Sequence, residues 1–517
     1  MRNSMDDPNM TPSGDPLVPP KVPLVLDGRQ HESRTTHWLD VRNPATQRIV
    51  ANVPVTTPAE LNTAVQTGKA AQPAWAKRPL SSRVRTMFLF QEAIRENLDE
   101  LSMLITQEQG KTLDDSVDDI LRGLEVVEQA CAAGTALMGS TMPNVARGVD
   151  CQSVRVPLGV CACVCPQLFP AMLPLWTIPL AIVAGNAVVL KPSEGAPSAG
   201  VMLAELAMQA GVPSGVLNVV HGGQSTVDLL VSHPDVKAVS FLGSSKVGQK
   251  VYRTATTHGK RVQASMTSKN HSVILPDAPM ELAADAIARA AFQSLGQRSM
   301  SLSVLVLVGD AKEKFMPLLL DHARKLKVNA GHEPGADIGP IGTAWAKEYT
   351  EAQVLDAINA GATLELDGRG VKVPGYDKGN FMGPTVLSGV TPAMKCYREE
   401  VHGPVLLVMH AEALEDAIQY INDNEQAGMG CSIFTSSPFA ARSFRHQVES
   451  GMVGINIATP TPPPFFSFTG WRKSFAGDHH MNGTEGIHFY TQQKTIVSRR
   501  VPRGPCRSAV GARERRG

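Results

Sequence analysis

Apolar and polar positions divide the middle of the chain into short strands and amphipathic helices. Apolar runs at Gly159–Cys165, Ala187–Leu190, Val216–Val220 and Val236–Phe241 read as buried strands. Ala199–Ala210, closed by Gly211, and Lys246–Thr256, opened by Gly243-Ser244-Ser245, carry helical spacing and helix-end signals. Val304–Val308 and the helix Ala311–Leu326 begin a second region of the same kind. Strands alternating with helices predict an α/β fold with parallel sheets of nucleotide-binding type, not a bundle or a sandwich. The stretch Val156 to Leu190 holds no charged residue and could suggest a membrane span. Pro157, Pro166, Pro170, Pro174 and Pro179 interrupt it, so buried strands and turns are expected there.

A length of 517 residues fits two or three domains with real cores, and 43% apolar with 19% charged residues is globular composition. The balance of 49 Lys plus Arg against 48 Asp plus Glu excludes a protein built mainly to grip nucleic acid. That balance is an average of unlike parts. Ser498–Gly517 has seven Arg and one Glu, a tail of +6, so the rest sums to −5 against the net +1. The tail reads as disordered, with RNA or an acidic partner as the ligand such a charge run could dock. The first twenty residues hold three Asp and five Pro, a disordered lead and the reverse of an Arg-rich mitochondrial presequence. Eight cysteines are too sparse for a disulfide framework. A reducing compartment, the cytoplasm rather than the mitochondrion, is the expectation.

Most motif matches fail on context. Gly110-Lys111-Thr112 looks like the end of a phosphate-binding loop, but Ile105 stands where that motif needs Gly, and no strand precedes it. Cys161, Cys163 and Cys165 share one strand face without a matching His/Cys pair, so they read as core thiols. His479-His480 is no better as a metal site, and Asn270-His271-Ser272 and Asn482-Gly483-Thr484 match glycosylation only by pattern. Strand ends carry more. Lys191 and Glu194 follow Ala187–Leu190, where open α/β sheets bind ligands, and can serve ribose hydroxyls. Ser244 opens a helix whose free N–H groups suit a pyrophosphate. In sequence order they predict a dinucleotide site.

These residues lie within longer landmarks: PLGVCACVCPQLFPAMLPLWTIPLAI, GNAVVLKPSE, VSFLGSSKVG, HGKRVQASMTSKNH, GQRSM, VNAGHEPGADIGP, REEVHGPVL and FSFTGWRKSFAGD. With them, from about Pro23 to Val497, the chain resembles the aldehyde dehydrogenase superfamily and within it the CoA-acylating methylmalonate-semialdehyde branch. The resemblance implies two parallel-sheet α/β domains and a β-hairpin oligomerisation arm. It assigns 23–138 and 158–257 to NAD binding, 258–465 to catalysis and 139–157 with 466–497 to the arm, leaving 1–22 as lead and 498–517 as tail. It also implies a dimer or tetramer, of this chain or shared with an active relative, and no membrane. In the family's reaction a cysteine thioester forms from a carboxylated semialdehyde, and the acyl group passes to CoA with loss of carbon dioxide. Carried over residue by residue, Cys165 and Gln167 fall in the cofactor loop, Lys191, Glu194 and Gly195 at the adenosine ribose, Ser244 at the pyrophosphate and Glu400 at the nicotinamide ribose. Arg122 and Arg298 match the pair that binds the substrate carboxylate, a role suited to a guanidinium fork.

The centre departs from that pattern. Ser299 stands at the nucleophile position, where the family has Cys, and serine needs an adjacent base to attack at neutral pH. Ser265 holds the usual glutamate position, followed by Thr267-Ser268 where the family has Gly-Ala. Leu168 replaces the asparagine that donates to the oxyanion, and His402 replaces the Phe beside the nicotinamide-ribose acid. Losing one oxyanion donor costs ~10²–10³ in rate. The expectation is a homologue that is inactive or severely impaired as a dehydrogenase; the competing expectation is an active NAD-dependent oxidoreductase making an acyl-CoA.

Overall fold

The computed structural model describes residues 18–499, so the disorder expected for the first seventeen residues and for 500–517 lies outside the described residues. Val160–Val164 forms the middle of an eight-stranded sheet and pairs in parallel with Ala187–Lys191 on one side and Val236–Leu242 on the other. From that centre the chain first builds outward through Leu217–Val219, then returns and builds the other way through Arg261–Ser265. Such a reversal opens a crevice at the carboxyl ends of the central strands. A seven-stranded sheet repeats the device: Asn270–Ile274 lies between Leu302–Val308 and Gly430–Phe434, all parallel. Thr141–Ala146, Val149–Pro157 and Thr491–Arg499 make a separate antiparallel ribbon. The chain thus has the mixed α/β architecture expected from its alternating pattern.

Both faces of the central strand are buried, which is why it reads as continuously apolar. Cys161, Cys163 and Cys165 face one core; Val160, Ala162 and Val164 face another. The cysteine face packs with Met172–Val183, and here the structure corrects the expectation of strands and turns. Met172–Val183 is an α-helix buried on every side, with Pro174 in its first turn and Pro179 inside it. A first-turn proline costs no helical hydrogen bond, and the buried surroundings override the breaking effect of the second. The helix Gln224–Ser232 between two strands is a further element that the pattern did not predict.

Several boundaries move. Val22, expected in the lead, is buried, and its N–H bonds the Asn52 carbonyl at 2.8 Å. Ser498 and Arg499, expected in the tail, pair with Asp150 and Val149 in the ribbon. Arg261–Ser265, expected with the catalytic half, joins the first sheet. Phe475–Gly477, expected in the arm, also adds to the first sheet, antiparallel to Gln263–Ser265. The ribbon's last segment therefore begins at Thr491. Among the described residues no helix is long and apolar enough to cross a membrane.

Candidate active site

A cleft of about 560 Å³ opens at the carboxyl ends of Val160–Val164, Val236–Leu242 and Arg261–Ser265. It gathers Gln167, Leu168, Ser244, Ser265, Thr267, Ser299, Glu400 and His402 from five separate stretches of chain. No cysteine lines it. Cys165 sits instead in the core with its Sγ 3.5 Å from that of Cys163, and burial pushes its thiol well up. It does not reach the cleft, unlike its expected role in the cofactor loop.

Lys191, Glu194 and Gly195 sit next to the cleft, not on its lining. Lys191 is buried and donates to Glu194 Oε2 at 2.9 Å. Gln167 connects this loop to the cleft: the end of its side chain lies over Gly195, 2.7 Å from where a Cβ would stand. Ser244 occupies the N-cap of Ser245–Thr257 with extended backbone and no side-chain capping bond. The first N–H groups of that helix therefore point out at the cleft with their partial positive charge.

The segment bearing Ser299 is held by its neighbours. Ser294, Leu295 and Gly296 all have positive φ, at 47°, 63° and 62°. For the two non-glycine residues that backbone is strained by about 1–3 kcal/mol each. Asp115 pins the turn, accepting from Ser294 N at 3.1 Å and from Arg298 Nη2 at 2.7 Å. Arg298 is thus engaged by a carboxylate of the chain itself, with its Nε buried and unpartnered. Arg122 is exposed on Leu113–Cys131 and is not among the cleft-lining residues, so the structure does not bring the two arginines together there. Beyond Arg298, Asn270 Nδ2 donates to the Ser299 and Ser301 carbonyls at 2.8 and 2.9 Å. That buried position rules out the glycosylation pattern at Asn270.

Glu400 and His402 face the same space. His402 Nδ1 lies 3.2 Å from Glu400 Oε1. Burial would raise the Glu400 carboxyl, yet His402, Thr267 and Lys269 hold it below its ordinary range; His402 in turn is raised by Glu400 against the effect of burial. Behind them, Lys269 is buried, its amine lowered to about 8 by desolvation, and it donates to the Glu399 carbonyl at 2.7 Å. His271 is lowered to about 3 by burial and stays neutral.

Sequence reasoning missed Lys111 and Asp119. Both are buried and paired at 3.0 Å. Lys111 Nζ also donates to the Leu168 carbonyl at 2.8 Å and lies 4.3 Å from the Phe169 ring centroid, while Asp119 accepts from Met172 N at 2.7 Å. The tripeptide rejected as a phosphate loop is thus a helix-to-helix turn whose lysine fixes the 168–172 segment. Gly110 closes one helix at φ 95° and Thr112 caps the next. His480 bonds Glu485 and the Gly470 carbonyl, both at 3.0 Å, and no group of three His, Cys, Asp or Glu suited to a metal occurs among the described residues.

The sequence profile of the aldehyde dehydrogenase family matches residues 30–496. The acylating mitochondrial methylmalonate-semialdehyde dehydrogenase of Arabidopsis thaliana is 50% identical over 96% of this chain and 82% of its own. The human methylmalonate-semialdehyde/malonate-semialdehyde dehydrogenase, also acylating and mitochondrial, is 48% identical over 93% and 89%. Among solved structures, methylmalonate-semialdehyde dehydrogenase of Oceanimonas doudoroffii superposes with a TM-score of 0.92 at 40% identity, covering 93% of this chain and 99% of that one. A Sinorhizobium meliloti protein assigned to the same enzyme, solved with NAD, gives 0.93 at 38% identity, covering 94% and 99%. On profile, identity and architecture together, the chain belongs to the aldehyde dehydrogenase family.

Proposed function

We propose that this chain is a homologue of the NAD-dependent, CoA-acylating methylmalonate/malonate-semialdehyde dehydrogenases that keeps the nucleotide cleft and is inactive or severely impaired in aldehyde oxidation. One observation carries this reading: the cleft that gathers Ser244, Gln167 and Glu400 has Ser299 and Leu168 at its reactive end and no cysteine anywhere on its lining. The Sinorhizobium relative binds NAD. The residues here fit that cofactor at its phosphate and adenosine end, where the uncapped N–H groups after Ser244 suit a pyrophosphate and Lys191 with Glu194 suits a ribose. When bound, NAD supplies a hydride acceptor; CoA is the acyl acceptor of the acylating relatives. The chain's own residues orient and exclude water but offer no thiolate to attack a carbonyl. The substrate class is a carboxylated semialdehyde, the class named for the acylating relatives. The assembly is a dimer or tetramer, of this chain alone or with an active relative, and nucleic acid is not a partner of the folded body. The compartment we propose is the cytoplasm, with the mitochondrion of the acylating relatives as the alternative.

The test is NADH production by the purified full chain from methylmalonate or malonate semialdehyde with NAD and CoA. We expect no turnover above background, with NAD binding retained by calorimetry. Ser299→Cys alone restores little; Ser299→Cys with Leu168→Asn restores more, because the oxyanion donor is worth ~10²–10³ in rate and acts with the nucleophile as a unit. Robust turnover by the unaltered chain overturns the reading.

A further inference from the structure

We propose that Trp345 and Tyr349 form a stacking platform in the cleft for the planar heteroaromatic ring of a pyrophosphate-bearing nucleotide. The proposal rests on the reading of the cleft as a nucleotide site. It adds the surface that holds a base, which Ser244, Lys191 and Glu194 do not supply. Both aromatic side chains line the cleft, and their rings stack with centroids 5.2 Å apart and planes at 13°. Tyr349 thus lies against one face of the indole. Trp345 is nevertheless 70% exposed, and among the described residues on the lining no other large apolar side chain is so open. That exposure leaves apolar area in water at the mouth of a site, and covering it is favourable. A flat π face is also what a second aromatic ring stacks on.

The fold fixes where this pair sits. Its helix, Ala344–Asn359, starts at Thr343, whose hydroxyl accepts from Ala346 N at 3.1 Å. One side of the helix is bonded to the loop of Glu400 and His402. Thr350 Oγ1 donates to the His402 carbonyl and Gln353 Nε2 to that of Glu400, both at 3.3 Å. Trp345 and Tyr349, four residues apart, form a neighbouring ridge. Just before the helix, a Cβ at Gly342 would stand 3.4 Å from Gln167 Nε2, and the same amide donates to the Gly195 carbonyl at 3.4 Å. The helix therefore ties the Gly195 side of the cleft to the Glu400 side, with the ring pair between these attachments along the chain. Two rings have the required chemistry: a purine entering from the Gly195 side and a pyridinium from the Glu400 side. The pyridinium would add cation–π attraction to the stack.

The experiment titrates the full chain with oxidised NAD, nicotinamide mononucleotide, ADP and CoA, read by tryptophan fluorescence and by calorimetry. Of the five tryptophans only Trp345 is on the lining, so NAD is expected to quench emission and Trp345→Phe to remove most of that quenching. Trp345→Ala is expected to lower NAD affinity about 10-fold, the order of one lost base stack, and Trp345→Phe to lower it less because a ring remains. Phe439→Ala removes a ring that is 83% exposed and not on the lining, and should leave NAD affinity unchanged. Circular dichroism checks that each variant is folded. Quenching by the mononucleotide assigns the platform to the pyridinium; quenching by ADP and CoA assigns it to the purine. Unquenched emission at NAD saturation, or an alanine variant that binds NAD as tightly as the unaltered chain, overturns the proposal and leaves the nucleotide reading standing. Calorimetry that shows no nucleotide bound overturns both.

Discussion

At the scale of single residues, the cleft is surrounded by buried polar groups whose charge state depends on their packing. Glu108 is 3% exposed and accepts from Ser198 N at 3.0 Å and Ser198 Oγ at 2.5 Å, at the start of Ser198–Gln209. Burial raises its carboxyl from 4.5 to about 7 despite those two hydrogen bonds. Its folded state therefore keeps a proton that the unfolded chain has released between these values, so stability falls as pH rises through that window. The full loss, on the order of 3 kcal/mol, is present above it. Glu108→Gln keeps the acceptor and removes the titration. We expect the variant to gain on the unaltered protein in melting temperature between about pH 5 and about pH 8; parallel pH dependences would refute this. Single residues were also where the sequence was least legible. Lys111 drew attention as a phosphate-loop lysine, but its partners are Asp119, the Leu168 carbonyl and the Phe169 ring, a set that only the folded chain assembles. Ser299, Leu168 and His402 were legible because they interrupt recognisable motifs. Arg298 was legible as a position but not as an occupied group, since nothing in the sequence links it to Asp115.

Elements were read well where their faces differed in polarity and poorly where they did not. The strand expected at Val236–Phe241 runs to Leu242, and the helix expected at Lys246–Thr256 is Ser245–Thr257. Met172–Val183 lacked any contrast: with all twelve residues buried there is no polar face to reveal a helical period, and its prolines suggested turns. Its neighbour Leu113–Cys131 shows what sets the fit between the two. A Cβ at Gly123 would stand 2.6 Å from Leu175 Cδ1 and 3.2 Å from Met172 Cα. Alanine is the better helix former by about 0.5–1 kcal/mol, but overpacking two buried helices costs about 1–3 kcal/mol. Gly123→Ala should therefore lower the melting temperature. Gly134→Ala, which would meet only Leu80 Cδ2 at 3.9 Å, should leave it unchanged. Equal melting points for the two variants would mean that the helices can separate without cost. Because Met172 N is also tied to Asp119, a shift of this helix reaches the Leu168–Phe169 wall of the cleft.

For the whole molecule, the three-stranded ribbon is the element that one chain cannot stabilise by itself. Thr491–Arg499 pairs with Val149–Pro157 over nine registered positions, yet eight of its nine residues are exposed, on both faces. Val497 is 67% exposed, and Met142 on Thr141–Ala146 61%. A small antiparallel ribbon without a covered apolar face is marginal in water, and its two outer strands present unpaired N–H and C=O groups to any second chain. The expected dimer or tetramer would cover both. None of the residues lining the cleft lies on the ribbon, so assembly and chemistry should be separable. Val497→Glu puts a charge on that surface, where burying it unpaired would be costly, without touching the cleft. Light scattering coupled to size exclusion should show the assembly shifted towards monomer, while calorimetry shows NAD binding to the remaining folded chain. An unshifted mass would place the subunit contacts elsewhere on the molecule. A monomer that no longer bound NAD would show that the cleft depends on the assembly, which the distribution of its lining residues argues against.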